Sequence, residues 1–366
     1  MNTKTNHDSN ADQFSTCVIA FPQWRRLTLV GMCFFLSTVV VRVEGQSSST
    51  PAPAVATDVA QPVAAQAVPA PQSGVQGQAD QKPDDDQSAV FVFKTQVREV
   101  ILHATVVDEQ RRLVTNLDRP AFTAFENGVP QATTSFHRDD VPVALGIVID
   151  NSGSMREKRE KVNQAVLNLI RSSGPNDETF VVNFSQNSYL DQDYTSDVNL
   201  LQTALQKVSA QGSTALYDAI VASAVHLKNN TRVERKVLLV ITDGRDNASQ
   251  ETLQEAMRRL QQENGPTLYA IGLLGDELQQ SDTGALQSLA AATGGVAFFP
   301  QRLDDVNDIT RAVARDIHSQ YTIGYKPTDH SKNGGYRAIE VRAQVPGHRK
   351  LTVRTRSGYY AGEAVR

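Results

Sequence analysis

The architecture of this chain follows from one segment, Leu145-Gly146-Ile147-Val148-Ile149-Asp150-Asn151-Ser152-Gly153-Ser154-Met155. Its short apolar run is typical of a buried parallel strand. The run ends in an acid, and small polar residues and a glycine follow at once. Apolar residues at helical spacing come next, with Val162, Val166 and Leu169 on one face. This order of strand, loop and helix indicates an α/β protein.

The loop after this strand is the first candidate ligand site. Asp150, Ser152 and Ser154 occupy alternate positions of the loop, and ligands of open α/β sheets bind at the carboxyl ends of strands. One carboxylate and two hydroxyls form a hard, all-oxygen set that suits Mg²⁺ or Mn²⁺ better than a soft metal. A D-x-S-x-S string also fits a simple helix start capped by Ser154. Only the rest of the chain can distinguish a metal site from such a helix start.

Length, charge and composition exclude several classes of protein. The chain has 366 residues, enough for more than one domain, and a net charge of −4 without a dense Lys/Arg patch, which argues against nucleic-acid binding. Both cysteines, Cys17 and Cys33, lie near the N-terminus, so the rest of the chain has no thiol chemistry. The seven histidines form neither an H-x-x-x-H pair nor an H-E-x-x-H motif, and a zinc site built on histidine is not expected.

The N-terminal region has the pattern of an export signal and a linker. In residues 1–45, Arg25 and Arg26 precede the apolar run Leu27–Val41, which has the length of a signal core and is short for a membrane span. Cleavage near Gly45 or retention as an N-terminal anchor are the two alternatives. Residues 46–87 are rich in Pro, Ala and Gln, which predicts a disordered or extended linker. We therefore expect a secreted, periplasmic or cell-surface protein.

Two segments of β character flank a long α/β region. Residues 88–140 contain an alternating run and the hairpin signal Asn127-Gly128, and residues 319–366 contain the alternating run Tyr336–Ala343. Each segment is too small to be stable alone. We expect them to pair into one antiparallel β-sandwich with the α/β region inserted between them. Two independent β appendages are the alternative.

Residues 141–318 alternate strand and helix patterns, which predicts a doubly wound, mostly parallel sheet. The buried strand Lys236–Thr242 ends in Asp243, and Thr214 stands directly before a helix. Loops that follow neighbouring strands converge on one crevice. The candidate site is therefore expected to bring five residues together: Asp150, Ser152, Ser154, Thr214 and Asp243.

The chemistry of this set favours cation-bridged recognition of an acid. The hydroxyl ligands carry no negative charge, so a divalent cation that they bind keeps positive charge, and Mg²⁺ commonly keeps positions for outside ligands. A carboxylate from a partner would suit such a position. The simpler alternatives are that Thr214 caps a helix and that Asp243 belongs to an ordinary turn. Asp218 and Asp246 lie near the same loops and are expected to be solvated or capping acids.

In order and spacing, these residues resemble the metal-ion-dependent adhesion site of von Willebrand factor A (VWA) domains. The resemblance covers residues 141–318 and implies a Rossmann-like fold. The flanks, including Val141-Pro142-Val143 and Arg356-Ser357-Gly358-Tyr359-Tyr360, resemble the secreted acidobacterial VWA-related proteins. The resemblance implies that the hydroxyls contact the metal directly, with some binding only in one state, while the two carboxylates act mainly through water.

Three functions are compatible with these observations. The first is a secreted or cell-surface module without catalytic activity, which binds Mg²⁺ or Mn²⁺ and through it an Asp or Glu of a partner protein. The second is a metal-dependent hydrolase with Asp150 as nucleophile and Arg156, Lys158 or Arg245 as a clamp. The third is a structural domain whose metal only holds its loops together.

Overall fold

The computed structural model describes residues 99–138, 140–207, 210–273, 280–331, 333–347 and 350–362. These residues all belong to one compact unit, Ser88–Arg366. The predicted export signal, 1–45, and the predicted linker, 46–87, lie outside the described residues. Among the helices that are described, none has the length and apolar character needed to span a membrane.

The described part of the chain forms fourteen strands, which are β1 (Val100–Val107), β2 (Phe122–Glu126), β3 (Val129–Gln131), β4 (Thr133–His137), β5 (Val143–Asp150), β6 (Glu178–Phe184), β7 (Ser188–Thr195), β8 (Arg235–Thr242), β9 (Thr267–Gly272), β10 (Ala297–Phe298), β11 (Tyr321–Tyr325), β12 (Tyr336–Ala343), β13 (Thr352–Arg354) and β14 (Gly358–Tyr360). It also forms six α-helices, which are α1 (Arg159–Arg171), α2 (Val198–Gln206), α3 (Leu216–Asn230), α4 (Leu253–Leu260), α5 (Gln280–Thr293) and α6 (Val306–His318).

The central sheet has the strand order β10-β9-β8-β5-β6-β7 and is parallel except for β7. All eight residues of β5 are buried, because helices cover both faces of the sheet. Ile147 and Ile149 pack into the core formed with α1, α2 and α6, whereas Ala144 and Val148 face α3, α4 and α5. The predicted doubly wound α/β fold is confirmed.

The antiparallel edge strand β7 was not predicted from the sequence. Its sequence, SYLDQDYT, has no continuous apolar run, and most of its residues are exposed or half-buried. The strand is held by its pairing with β6, from Phe184 opposite Ser188 to Thr179 opposite Thr195. An edge strand needs fewer apolar residues than a central one, and hydropathy patterns do not detect it.

The two flanking β segments form one sandwich. Its sheets have the orders β13-β1-β11-β4 and β14-β12-β2-β3, so each sheet combines strands from before and after the α/β region. β1 pairs with β11 from Val100 opposite Tyr325 to Ala104 opposite Tyr321. The two sheets share a core that includes Leu102, Phe122 and Ile339. The alternative of two independent β appendages is wrong.

A buried polar cluster lies inside the sandwich. The Glu126 carboxylate accepts hydrogen bonds from Tyr325 Oη at 2.6 Å, from Tyr359 Oη at 2.9 Å and from Arg337 Nη1 at 2.8 Å. Burial and the negative charge of Glu126 raise the pKa of Tyr359 to about 12. The cluster joins β2, β11, β12 and β14, and therefore connects strands from both ends of the chain.

The seam between the sandwich and the α/β region contains buried basic groups. Arg235, at the start of β8, donates to the carbonyl oxygens of Ile317 and Gln320, each at 3.2 Å. His103 of β1 lies near Arg235 and Arg356. Burial, together with repulsion from these two guanidinium groups, lowers the pKa of His103 to about 3.

Candidate metal site

Three loops meet at the carboxyl end of the central sheet. They are residues 150–155 after β5, residues 210–215 before α3, and residues 242–249 after β8. Backbone hydrogen bonds join them: Gln211 N donates to Asn151 O at 3.0 Å, and Asn247 N donates to Thr214 O at 3.0 Å. Because β5 and β8 are neighbours and the strand order reverses at β5, the crevice forms where open α/β sheets bind ligands.

Asp150 is the most deeply buried acid of these loops, with no exposed surface. Its Oδ1 accepts a hydrogen bond from Ser152 N at 2.8 Å, and its Oδ2 accepts one from Thr242 Oγ1 at 2.6 Å. Burial raises the pKa of Asp150; these hydrogen bonds oppose the shift and the charge of Asp243 adds to it. A cation bound in the crevice would favour the ionised form.

Ser152, Ser154 and Asp243 form a hydrogen-bonded chain beside Asp150. The two serine Oγ atoms are 3.2 Å apart, and Ser154 Oγ donates to Asp243 Oδ1 at 2.7 Å. The other oxygen of Asp243, Oδ2, accepts a hydrogen bond from the Lys158 ammonium. Hydrogen bonds thus link four of the five candidate residues in series, from Asp150 through Ser152 and Ser154 to Asp243.

Thr214, the fifth candidate, lies against the loop that carries Asp243. A Cβ placed on Gly244 would be 3.4 Å from Thr214 Oγ1, so a glycine at this position leaves space for the hydroxyl. The backbone N of Thr214 donates to Asn247 Oδ1 at 2.8 Å. In the part of the chain that the structure describes, the Thr214 hydroxyl makes no hydrogen bond and is free to bind a ligand.

Neither the Ser154 hydroxyl nor the Thr214 hydroxyl caps a helix. The first backbone N–H groups of α3 are bound by Asp246 Oδ1, which accepts from Leu216 N at 2.7 Å and from Tyr217 N at 3.3 Å. Helix α1 begins at Arg159 without a side-chain cap, and the Ser154 hydroxyl points to Asp243. The capping interpretations of Ser154 and Thr214 are therefore wrong. Asp246 was expected to be a solvated or capping acid, and it caps α3.

Asp218, the other acid near these loops, also has a structural role. Its carboxylate accepts hydrogen bonds from the backbone N of Gln250 at 3.0 Å and of Glu251 at 2.8 Å. These bonds hold the start of the segment before α4 to helix α3. Asp218 is thus occupied by its own chain and is separate from the candidate metal set.

Two residues that support the site, Arg159 and Thr242, were given no role in the sequence analysis. Arg159 is 3% exposed and lies beneath the first loop, where it donates to Asp150 O at 3.3 Å and to Asn183 Oδ1 at 2.8 Å. Burial lowers the pKa of Arg159 to about 10. Thr242 holds the Asp150 carboxylate. At a helix start and a strand end, neither residue differs in sequence from an ordinary surface arginine or strand threonine.

The donor set fits a hard divalent cation. Within the described ranges there is no group of three or more His, Cys, Asp and Glu arranged to hold a metal, and the crevice instead combines two carboxylates with three hydroxyls. The adjacent Asn151 Oδ1 is buried and has no hydrogen-bond partner among the described residues. Such an all-oxygen set, with acceptor capacity left over, suits Mg²⁺ or Mn²⁺.

The middle of the chain matches a known protein family. Residues 145–245 match the sequence profile of the von Willebrand factor type A domain. No curated protein sequence matches the chain significantly. Solved structures similar to the chain include BatB from Bacteroides thetaiotaomicron, with 18% identity, a TM-score of 0.40, and 48% of this chain and 97% of that chain covered.

Two further structures are similar over about half of this chain. The vWF domain of the type V pilus tip protein Mfa5 from Porphyromonas gingivalis has 12% identity and a TM-score of 0.42, with 49% of this chain and 95% of that chain covered. Proximal thread matrix protein 1 from the mussel byssus, solved with a zinc-occupied MIDAS motif, has 19% identity and a TM-score of 0.43. This comparison covers 54% of the present chain and 50% of the mussel chain.

Proposed function

We propose that the α/β region, of which residues 145–245 match the von Willebrand factor type A domain profile, is a divalent-cation-dependent protein-binding or adhesion module. Its metal site would consist of Asp150, Ser152, Ser154, Thr214 and Asp243. One observation carries the proposal: these side chains converge at the sheet edge, and the hydroxyls of Ser154 and Thr214 are not used in helix capping. The Ser154 hydroxyl bonds only within the candidate set, to Ser152 and Asp243, and is thus already positioned where a metal would bind.

The charge balance of the site explains how it would select a partner. Asp150 and Asp243 together balance the two charges of a bound Mg²⁺ or Mn²⁺, and the neighbouring Lys158 and Arg159 add positive charge. A ligand that comes from solvent would therefore meet a positively charged site. An Asp or Glu carboxylate of a partner protein is the matching group, since hard cations prefer oxygen ligands. Recognition would thus need both the metal and an acidic side chain on the partner.

The proposal includes a location outside the cytoplasm, in the manner of the secreted acidobacterial VWA-related proteins. It rests on the signal-like pattern of residues 1–45, with an N-terminal membrane anchor as the alternative. The linker of residues 46–87 would separate the folded part from the envelope. Export fits a binding module, because its partners would be surface or matrix proteins.

We further propose that the module has no catalytic activity. Asp150, the nucleophile of the hydrolase alternative, has no exposed surface, and both of its carboxylate oxygens accept hydrogen bonds. Of the three clamp candidates, Arg156 binds the carbonyl of Ala210, Lys158 binds Asp243 and Arg245 is exposed. This arrangement supports ligand binding better than attack on a substrate.

The proposed site is tested by titrating Mg²⁺, Mn²⁺ and Zn²⁺ calorimetrically into the purified protein and three variants. We expect saturable binding by the parent and by Asp304→Ala, a control that removes an exposed acid of the same domain. Binding should be lost in Asp150→Ala and Ser152→Ala. Equal binding by the parent and both site variants would refute the proposed ligand set.

Partner recognition needs a second experiment on the metal-loaded protein. Displayed peptides that contain Asp or Glu are compared with matched Asn and Gln peptides, with and without a chelator. Retention of acidic peptides only in the presence of metal is the expected result. Metal binding that stabilises the protein but never favours an acidic peptide would instead support a purely structural metal.

A further inference from the structure

Lys158 already places a positive charge in the candidate metal site. Its ammonium donates to Asp243 Oδ2, while Ser154 Oγ donates to Asp243 Oδ1. The side chain of Asp243 is 0% exposed and that of Lys158 is 21% exposed. Both oxygens of this carboxylate are therefore bound by the chain itself, and a metal has to compete for one of them.

In the absence of metal, the Lys158 ammonium balances negative charge in the site. Asp150 and Asp243 are both buried, and the negative charge of Asp243 contributes to the raised pKa of Asp150. A buried carboxylate without a partner is strongly destabilising. Lys158 provides the compensating charge for Asp243 and so allows the site to stay folded before a metal binds.

The two cationic side chains next to the site, Lys158 and Arg159, differ in how far they can move into solvent. The Arg159 guanidinium is buried and donates to Asp150 O, Asn183 Oδ1 and Leu205 O. Lys158 precedes helix α1, is partly exposed and makes its ion pair with Asp243 through a flexible four-carbon stem. Arg159 is thus a fixed part of the scaffold, whereas the Lys158 ammonium has a route into solvent.

We propose that Lys158 is a resident cation of the site, which a divalent ion displaces from Asp243 when it binds. The inference rests on the proposed function, since it assumes that the metal uses Asp243. A divalent ion brings two charges where the ammonium brings one, so the exchange is favourable, whereas a monovalent ion gains nothing over the ammonium. Lys158 would therefore weaken metal affinity, stabilise the metal-free fold and discriminate against Na⁺ and K⁺.

The test compares the calorimetric Mn²⁺ affinity of the parent with that of Lys158→Met, which keeps the length of the side chain and removes its charge. We expect the variant to bind at least about tenfold more tightly, equivalent to about 1.4 kcal/mol. In chelator, the same variant should unfold at a lower temperature than the parent.

Lys158→Arg keeps the charge and should not bind more tightly than the parent. Lys161→Met removes an exposed lysine paired with Asp304 and should change affinity less than twofold.

Lysine acetylation of the unmodified protein gives a second readout that does not depend on a variant folding. Mass spectrometry should show that saturating Mg²⁺ increases the acetylation rate of Lys158 several-fold and leaves that of Lys161 unchanged. A lysine that merely supports the loop would show neither this change nor a gain of affinity on neutralisation.

The outcomes separate the inference from the proposed function. If the parent binds Mn²⁺ but Lys158→Met binds no more tightly, or if Mg²⁺ leaves Lys158 acetylation unchanged, the inference is overturned and the metal site stands. If Lys158→Met binds metal and the parent does not, the inference is supported in its strongest form. If neither binds metal, both are refuted.

Discussion

Glu126 in the sandwich and Asp243 at the edge of the central sheet are both buried carboxylates, but their partners differ in kind. Glu126 is held by two tyrosine hydroxyls and the guanidinium of Arg337, whose side chain is 5% exposed. Asp243 is held by a serine hydroxyl and a lysine that reaches solvent. The partners of Glu126 are fixed in a core, whereas those of Asp243 can exchange or bind a ligand themselves.

This difference offers a physical criterion for separating structural from functional buried acids. Burial and the presence of hydrogen bonds do not distinguish the two carboxylates, because both are buried and both have partners. The difference is that the partners of Asp243 can leave it for solvent or for a ligand, whereas the partners of Glu126 cannot. The predictions below test this criterion by removing one group at a time, beginning with the largest expected effect.

Glu126→Ala should be the most destabilising substitution. It removes the buried carboxylate partner of the Arg337 guanidinium, which keeps only the exposed Asp329 carboxylate at 3.4 Å. Loss of one partner of a buried ion pair typically costs 3–5 kcal/mol. Since Arg337 keeps hydrogen bonds to backbone carbonyls of Asp329 and Ser331, we expect about 3 kcal/mol, measured by urea denaturation in chelator. Glu340→Ala on the same sheet removes an exposed pair with Arg342 and should cost less than about 0.5 kcal/mol. Equal losses would refute the structural assignment of Glu126.

The seam provides an intermediate case through His103. Its pKa in the folded protein, about 3, is below the ordinary value of 6.5, so the unfolded chain takes up a proton first. Stability that is fully present above pH 6.5 is therefore lost as the pH falls towards 3. Between pH 7 and pH 5 we expect a loss of about 1–2 kcal/mol that is absent in His103→Gln. The exposed His330→Gln serves as the control, and a control with the same flattened pH profile would exclude His103 as the cause.

Asp150→Asn should have the smallest effect on the metal-free fold and the largest on metal binding. Burial raises the pKa of Asp150, so the parent loses stability as the pH rises from below 3.8 through the pKa of the folded state. A neutral amide removes that loss, and Thr242 Oγ1 can rotate to accept from it. We expect stability at pH 7 in chelator to change by less than about 1 kcal/mol or to increase. A loss as large as that of Glu126→Ala would show that Asp150 is structural.

The central fold was predictable from the sequence because its signals are local. Buried strands such as β5 and β8 are continuous apolar runs, and the acids Asp150 and Asp243 stand directly where these runs end. Strand–helix alternation then places both acids at the same edge of the sheet. The edge strand β7 could not be predicted in this way, because none of its residues is fully buried and its position depends on pairing with β6.

The partners within the site were less predictable, because they join distant parts of the chain. Lys158 and Asp243 are 85 positions apart, and Thr242 and Asp150 are 92 positions apart. The sequence placed Lys158 near the loops but gave no sign of which acid it contacts. The pairing of the two β segments followed from their small size. The register that places Arg337 beside Glu126, 211 positions away, depends on how β12 pairs with β2 within one sheet.

The insertion of the α/β region into the sandwich also determines the order of events during folding. His103 and Thr322, which meet across β1 and β11, are separated by 219 positions, and closing such a loop in an unfolded chain is slow. Because the α/β region lies between the two β segments, we expect it to fold first and bring the two ends together. During synthesis, β1 and β4 therefore lack their partner strand β11 until residue 321 has left the ribosome. Unpaired strand edges of this kind favour aggregation, and the chain is most vulnerable in that interval.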